Sequence, residues 1–344
     1  MFDQLSDQKM HKYRFGFIGL GIIFGKHLKA LERLNIEDKD LSVDVVHVCD
    51  LNQENLNKSR ELLEEVGQSI SKCTFSTDVS ELAGDENVDV VVVCTNVQSH
   101  YQVIKKLILA KKTVFFEKPG TTNNNDLEDL SQLAKSNNTL LYSLLHSEFG
   151  CELRWWNSEK VRTDEPRSFH TLLSGGCFNN KNEAEQTNRL YSCWLDIGIN
   201  AISIAVAIVK DMKLNTSLSI PRFVRIPSIN EGRDVQGCAE YSFGVNGKGS
   251  VETSWCSGEG VQRSRVMYSN PDEEYLFDHA KQKVTKVVDG KQEVLFSSDV
   301  DRLPDQYLYV FRDGLRKLSQ GQDNIDHSLK LHNLLFSALH FDKS

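Results

Sequence analysis

Short β-branched runs alternate with longer amphipathic ones through the first part of the chain. "RFGFIGLG" reads as a strand running into a turn, and "IFGKHLKALERL" as a helix, because its apolar residues recur every three to four positions. "VDVVHVCD" is a strand, "ENLNKSRELLEEV" a helix and "CTFST" a short strand. "VDVVVVCT" is apolar without alternation, as in strands covered on both faces. Helix "HYQVIKKLILAKK", strand "TVFFEKP", helix "NNNDLEDLSQLAKSNN" and strand "TLLYSLLH" complete the series. Such alternation predicts a parallel sheet with right-handed crossovers, so residues 1–145 read as a doubly wound, Rossmann-type α/β domain.

Residues 146–344 follow a different pattern. A helix through "CELRWWNSEKV" leads to the strand "RSFHTLL", a Gly/Asn-rich loop and the apolar helix containing "WLDIGIN". The strands "RFVRIPSI", "GCAEYSFGV", "GSVETSWC", "SRVMYS", "EEYLFDH", "KVTKVVDG" and "QEVLFSS" follow, with "VNGKG" and "VDGKQ" as hairpin turns. This half reads as an α+β domain with a large, mainly antiparallel open sheet. Two amphipathic helices, "PDQYLYVFRDGLRKLSQG" and "IDHSLKLHNLLFSALH", close the chain and are expected to pack back on the first domain.

At 344 residues the chain exceeds the size at which one core stops growing, in keeping with two domains. The net charge of −8 and the absence of a Lys/Arg stripe argue against a nucleic-acid partner. The longest apolar run, "AISIAVAIV", is far shorter than the roughly 18 residues that span a bilayer, so no membrane association is expected. "MFDQLSDQKMHKYR" has no apolar signal core, which points to a cytoplasmic location. The eight cysteines show no CxxC or Cys/His zinc spacing and read as reduced packing thiols, with no metal site.

Chemistry first shows in "GLGIIF", which lies between a strand and a helix. Gly19 permits a tight turn and Gly21 a close approach of backbone to a pyrophosphate. The helix start at Ile22 and Ile23 supplies unpaired N–H groups to that anion. Phe24 stands where the dinucleotide fingerprint has its third glycine. Asp50 ends the second strand, and the insert "NIEDKDLS" lengthens its spacing beyond the usual ~20 residues. A carboxylate there bonds a ribose 2′-hydroxyl and repels a 2′-phosphate, which favours NAD over NADP. The alternative role for Asp50 is an N-cap on the next helix.

"VVVVCTNVQSHYQVIKKLILAKKTVFFEKPG" resembles the T-P-x-x-x-H and G-K-x-V-x-x-E-K-P motifs of the Gfo/Idh/MocA oxidoreductases, and the resemblance extends over essentially the whole chain. It implies cofactor-side roles for Thr95, Asn96 (where the family has Pro), His100, Glu117 and Lys118. Lys118 would be catalytic at the carboxyl end of a parallel strand; the plainer reading is a solvated loop lysine. The family's D-x-G-x-H stretch appears as Asp196 to Asn200, with Asn in place of His. "DIGINAISI" is similar to D-P-G-I-N-A-L-S-I of the D-galactose / L-arabinose 1-dehydrogenase subgroup, which also has the His146-Ser147 pair and the "GQDNID" turn.

That likeness implies a small-molecule sugar substrate oxidised at C1 of an aldopyranose to a lactone, its hydride passing to nicotinamide. An inositol or modified sugar is the alternative substrate, and a non-catalytic dinucleotide-binding regulator the alternative class. Asp196 and Asn200, four apart in a helix, share a face. An amide hydrogen-bonds but takes no proton, so the base is Lys118, Asp196 or both, with Asn200 and His146 holding sugar hydroxyls. Trp255 is either a stacking face for the sugar or a core residue. Asp196 could instead be a helix cap, His146 a core histidine, and Gly198 a packing glycine. The subgroup's Trp/Glu/Trp loop is replaced by "SGGCFNNKNEAEQTNRLYSC", with Ser174 and Gly175 near the place of its glutamate. Members of the family associate through the outer face of the second domain's sheet, which implies a homodimer or homotetramer.

Overall fold

A computed structural model describes residues 11–159, 164–175, 191–209, 214–216, 221–225, 233–256, 260–268 and 273–341. The chain divides into two compact units. The first holds residues up to Glu117, Asp129–Leu144 and Tyr307–Ile325; the second holds Lys118–Glu128, Leu145–Gln306 and the residues from Asp326 onward.

The first unit is built on a six-stranded sheet of β1 (His11–Ile18), β2 (Leu41–Cys49), β3 (Thr74–Ser76), β4 (Val90–Val93), β5 (Thr113–Glu117) and β6 (Leu141–Leu144). Its order is β3-β2-β1-β4-β5-β6, every pair parallel. The crossovers are α1 (Phe24–Glu37), α2 (Gln53–Glu65), α3 (Val79–Gly84), α4 (Val97–Leu109) and α5 (Asn124–Asn137). The four valines of β4 are fully buried, as a strand covered on both faces requires. Phe15 of β1 and Phe115 of β5 meet edge to face at 6.0 Å, and Phe311 stacks on Phe115 at 6.4 Å. The Asn324 side chain, in "GQDNID", closes the β6 edge. Asn324 donates its amide to Ser143 O (2.9 Å) and accepts from Ser143 N (2.7 Å), so its side chain acts as one more residue of strand.

The second unit carries α6 (Cys151–Glu159), β7 (Ser168–Ser174), a π turn at Trp194–Gly198 that runs into α7 (Ile199–Val209), and β8 (Leu214–Thr216) to β15 (Lys291–Ser297). The intervening strands are β9 (Arg222–Arg225), β10 (Asp234–Phe243), β11 (Gly247–Ser254), β12 (Gln262–Met267), β13 (Glu273–Asp278) and β14 (Lys283–Val288). The sheet order is β15-β14-β13-β12-β7-β11-β10-β8, with β9 also on β10. Among the described residues of this sheet only the β7–β11 pair is parallel. Asp289 (φ 50°) and Gly290 (φ 74°) are both left-handed, the geometry that makes "VDGKQ" a tight hairpin turn. Along β12 and β13 every second residue is buried, so one sheet face packs and the other is open. The packed face meets α7, whose residues are apolar nearly all round, together with Trp156, Trp194, Leu331 and Leu335.

Helix α8 (Arg302–Ser319) gives its residues from Tyr307 on to the first unit, and α9 (Ile325–Phe341) those from Asp326 on to the second. The single helix expected through "WLDIGIN" begins instead with a π turn. A Cβ on Gly198 would lie 3.1 Å from the Trp194 ring and 3.3 Å from Leu335, which identifies Gly198 as a close-packing glycine.

Candidate active site

In the first unit the glycine turn has the form a dinucleotide needs. Gly19 has φ +88°, and a Cβ there would sit 2.8 Å from the Cys94 carbonyl and the Thr95 nitrogen, so only glycine fits. At Gly21 a Cβ would meet nothing within 4 Å, leaving the backbone open to a ligand. Ile22 is 89% exposed, and Ile23 begins α1 in helical conformation without a side-chain cap, so the helix N-terminus is available to an anion. Phe24 is buried against Phe17, ring centroids 5.2 Å apart, and a Cβ on the next residue, Gly25, would make only an ordinary contact with Leu62 at 4.0 Å.

Asp50 does not cap α2. The cap is Asn52, whose side chain accepts from Glu54 N at 2.8 Å. The Asp50 carboxylate accepts from Leu20 N in the glycine turn (2.7 Å), Asn52 N (2.8 Å) and Asn55 Nδ2 (3.0 Å). Three of its roughly four acceptor positions are engaged, which leaves room for a hydroxyl. Asn96 caps α4 by accepting from Ser99 N at 3.1 Å, and Thr95 receives the Ser99 hydroxyl at 2.8 Å. His100 Nε2 is 3.0 Å from the Thr95 carbonyl, to which it donates. Glu117 faces inward: Tyr307 donates to its Oε1 at 2.6 Å, and His27 Nε2 lies 3.0 Å from the same oxygen. Burial and that carboxylate push the Tyr307 phenol well above its ordinary value.

In the second unit Lys118 and Asp196 come together. Lys118 Nζ donates to Asp196 Oδ1 at 3.0 Å and to Asp196 O at 2.9 Å, with 13% and 15% of the two side chains exposed. The turn that carries Asp196 is fixed by Asp234, which accepts from Trp194 N at 2.7 Å, and by Ser192, whose carbonyl accepts from Asp196 N at 2.9 Å. Burial raises the Asp234 carboxyl above its ordinary value. Such a half-buried ammonium–carboxylate pair can accept a proton from a hydroxyl and share it.

Asn200 is half-buried, and its amide has no hydrogen-bond partner among the described residues, although its carbonyl accepts from Ser203. His146 is buried, with Nδ1 3.0 Å from Gln306 Oε1, so Nδ1 carries the proton when the ring is neutral. Trp255 is 1% exposed. Residues 176–190 of the Gly/Asn-rich loop lie outside the described residues. Among the described residues, no group of His, Cys, Asp and Glu is arranged to hold a metal and no helix is long and apolar enough to cross a membrane. Gln306, Tyr307, His27 and Asp234, the supports of these groups, have no motif in the sequence; most lie far along the chain from what they hold.

Residues 13–144 match the Gfo/Idh/MocA family model, described as an oxidoreductase family with an NAD-binding Rossmann fold. Inositol 2-dehydrogenase/D-chiro-inositol 3-dehydrogenase of Lactiplantibacillus plantarum is 32% identical over 109 residues, 32% of this chain and 28% of that protein. Myo-inositol 2-dehydrogenase of Thermotoga maritima is 32% identical over 136 residues, 40% of this chain and 37% of that protein. The chain thus matches about a third of the length of these relatives. Levoglucosan dehydrogenase, in complex with NADH and levoglucosan, superposes with a TM-score of 0.79 at 12% identity, covering 97% of both chains. At that identity the likeness is one of fold, and it takes in both sheets.

Proposed function

We propose, from the match of residues 13–144 to the Gfo/Idh/MocA family model, that the chain belongs with these NAD-binding oxidoreductases and oxidises a CH–OH group of a sugar or cyclic polyol. The Lys118–Asp196 pair carries this reading, since a protein that only binds dinucleotide needs neither. NAD, when bound, supplies the hydride acceptor. Its pyrophosphate fits the open backbone at Gly21 and the start of α1, and its adenosine ribose fits Asp50. Lys118 and Asp196 take the hydroxyl proton as the hydride leaves carbon, and the proton then belongs to the pair rather than to either group. Asn200 keeps a donor and an acceptor for a neighbouring hydroxyl without titrating. His146, oriented by Gln306, serves as a second sugar contact.

The finer reading is oxidation at C1 of a galactose- or arabinose-like aldopyranose to its lactone, supported by "DIGINAISI". Oxidation of an inositol or modified sugar has support of equal weight in the two inositol dehydrogenases similar to the first unit. NADH formation with a panel of free aldoses, inositols and N-acetyl sugars separates them. We expect a signal with one class, reduced about 10²–10⁴-fold by Lys118→Ala with NAD binding retained. Normal turnover in that variant would remove Lys118 from the chemistry, and silence across the panel despite NAD binding would favour the regulator. By the same reading the chain forms a homodimer or homotetramer through the open sheet face, where Leu172 and Leu276 sit among Arg263 and Arg265. Sedimentation velocity should show the oligomer; a monomer at micromolar concentration refutes it.

A further inference from the structure

We infer that His332, on α9, is a positioning residue for Lys118. Pro119 has no N–H, so Gly120 supplies the first backbone donor after Lys118 that can tie this segment down. The Gly120 N–H donates to His332 Nε2 at 2.9 Å, joining positions 212 residues apart. The other ring nitrogen, Nδ1, lies 2.7 Å from the Ser328 carbonyl one helical turn back, and only a protonated Nδ1 can bond there. The two bonds together select one neutral tautomer: Nδ1 donates within the helix and Nε2 accepts from Gly120. The imidazole is fully buried, and its pKa is pushed down to about 4 by that burial, so the acceptor lone pair persists at neutral pH. Lys118 is therefore held at two ends, through its ammonium on Asp196 and, two residues on, through Gly120 on the imidazole.

The consequence for turnover rests on the reading of Lys118 as a proton-handling group; the consequence for Lys118 itself does not. The test compares His332→Gln, which keeps a side-chain acceptor, with His332→Leu, which removes it. The first readout needs no substrate: the rate of acetylation of Lys118 by acetic anhydride, followed by peptide mass spectrometry, with thermal melting and NAD binding as fold controls. The second is kcat and KM on whichever substrate the panel identifies. In folded His332→Leu the Lys118 labelling rate should change about three-fold or more, and kcat should fall about ten-fold or more with KM for NAD unchanged, since small misplacements of reacting groups are costly. His332→Gln should stay within about two-fold of the wild type on both.

A folded Leu variant with wild-type Lys118 labelling overturns the inference, whatever the panel shows. Should the Leu variant not fold, nitrogen NMR of the wild-type ring decides: an unprotonated Nε2 that shifts in concert with the Gly120 amide supports the assignment, and a protonated Nε2 refutes it. A silent panel with altered labelling counts against the proposed oxidation alone.

Discussion

At Asp50 a single carboxylate does two jobs. It accepts from Leu20 N and so braces the glycine turn, and under the proposed function it also discriminates against a ribose 2′-phosphate. Asp50→Ser should therefore raise the NADP to NAD ratio of kcat/KM by about 10-fold or more, because a like-charge clash worth several kcal/mol is relieved. An unchanged ratio would leave Asp50 only its bracing role. Gly19 and Asp50 were legible from residue type and place alone. The meaning of Phe24 was not: it begins α1 buried against Phe17, a core role in place of the fingerprint's third glycine. Glu117 reads as a cofactor residue from its motif, yet its carboxylate is turned inward toward Tyr307 and His27, partners that only the folded chain supplies.

Among the elements, periodicity served wherever it had length to act. The long helices and the alternating strands stand where their patterns put them. The six-residue α3 is shorter than two turns and the three-residue β8 shorter than two full alternations, so neither leaves a pattern to read. The π turn at Trp194–Gly198 is invisible for another reason. Its local sequence is that of an ordinary apolar helix, and its closest packing, of Gly198 against Trp194 and Leu335, exists only in the folded chain. The β6 edge shows how a loop can act as an element: Asn324 makes two backbone bonds to Ser143. Asn324→Ala should cost about 1–3 kcal/mol, because it leaves a donor and an acceptor at the edge unpaired. Chemical unfolding would measure this, and a loss below about 0.5 kcal/mol would mean that water replaces both bonds.

Across the whole molecule, the chain passes from one unit to the other several times, and the buried imidazole of His332 makes part of its stability depend on pH. The pKa of His332 is lowered from an ordinary 6.5 to about 4. Between those values the unfolded chain binds a proton that the folded chain refuses, so this contribution is complete above about 6.5 and is lost as pH falls toward 4. Carboxylates titrate in both forms, so comparison with His332→Gln isolates the imidazole. The wild type should lose up to about 1.4 kcal/mol per pH unit more than the variant in this window. Urea unfolding at several pH values gives the two slopes, and equal slopes would show that the ring titrates alike folded and unfolded.

Lys118 is singled out only by the resemblance of its motif to a family, whereas the order of the elements, the parallel character of the first sheet, the antiparallel habit of the second and the glycine turn can be read from the chain directly. These follow from spacing and residue type, which are local properties. The pairing of Lys118 with Asp196, 78 positions away, is expected from the resemblance but gets its geometry from the fold, and only the fold shows that Gln306 orients His146 and that His332 holds Gly120. Those pairings depend on which strands and helices become neighbours. Periodicity records which face of an element is buried; it does not record what that face meets.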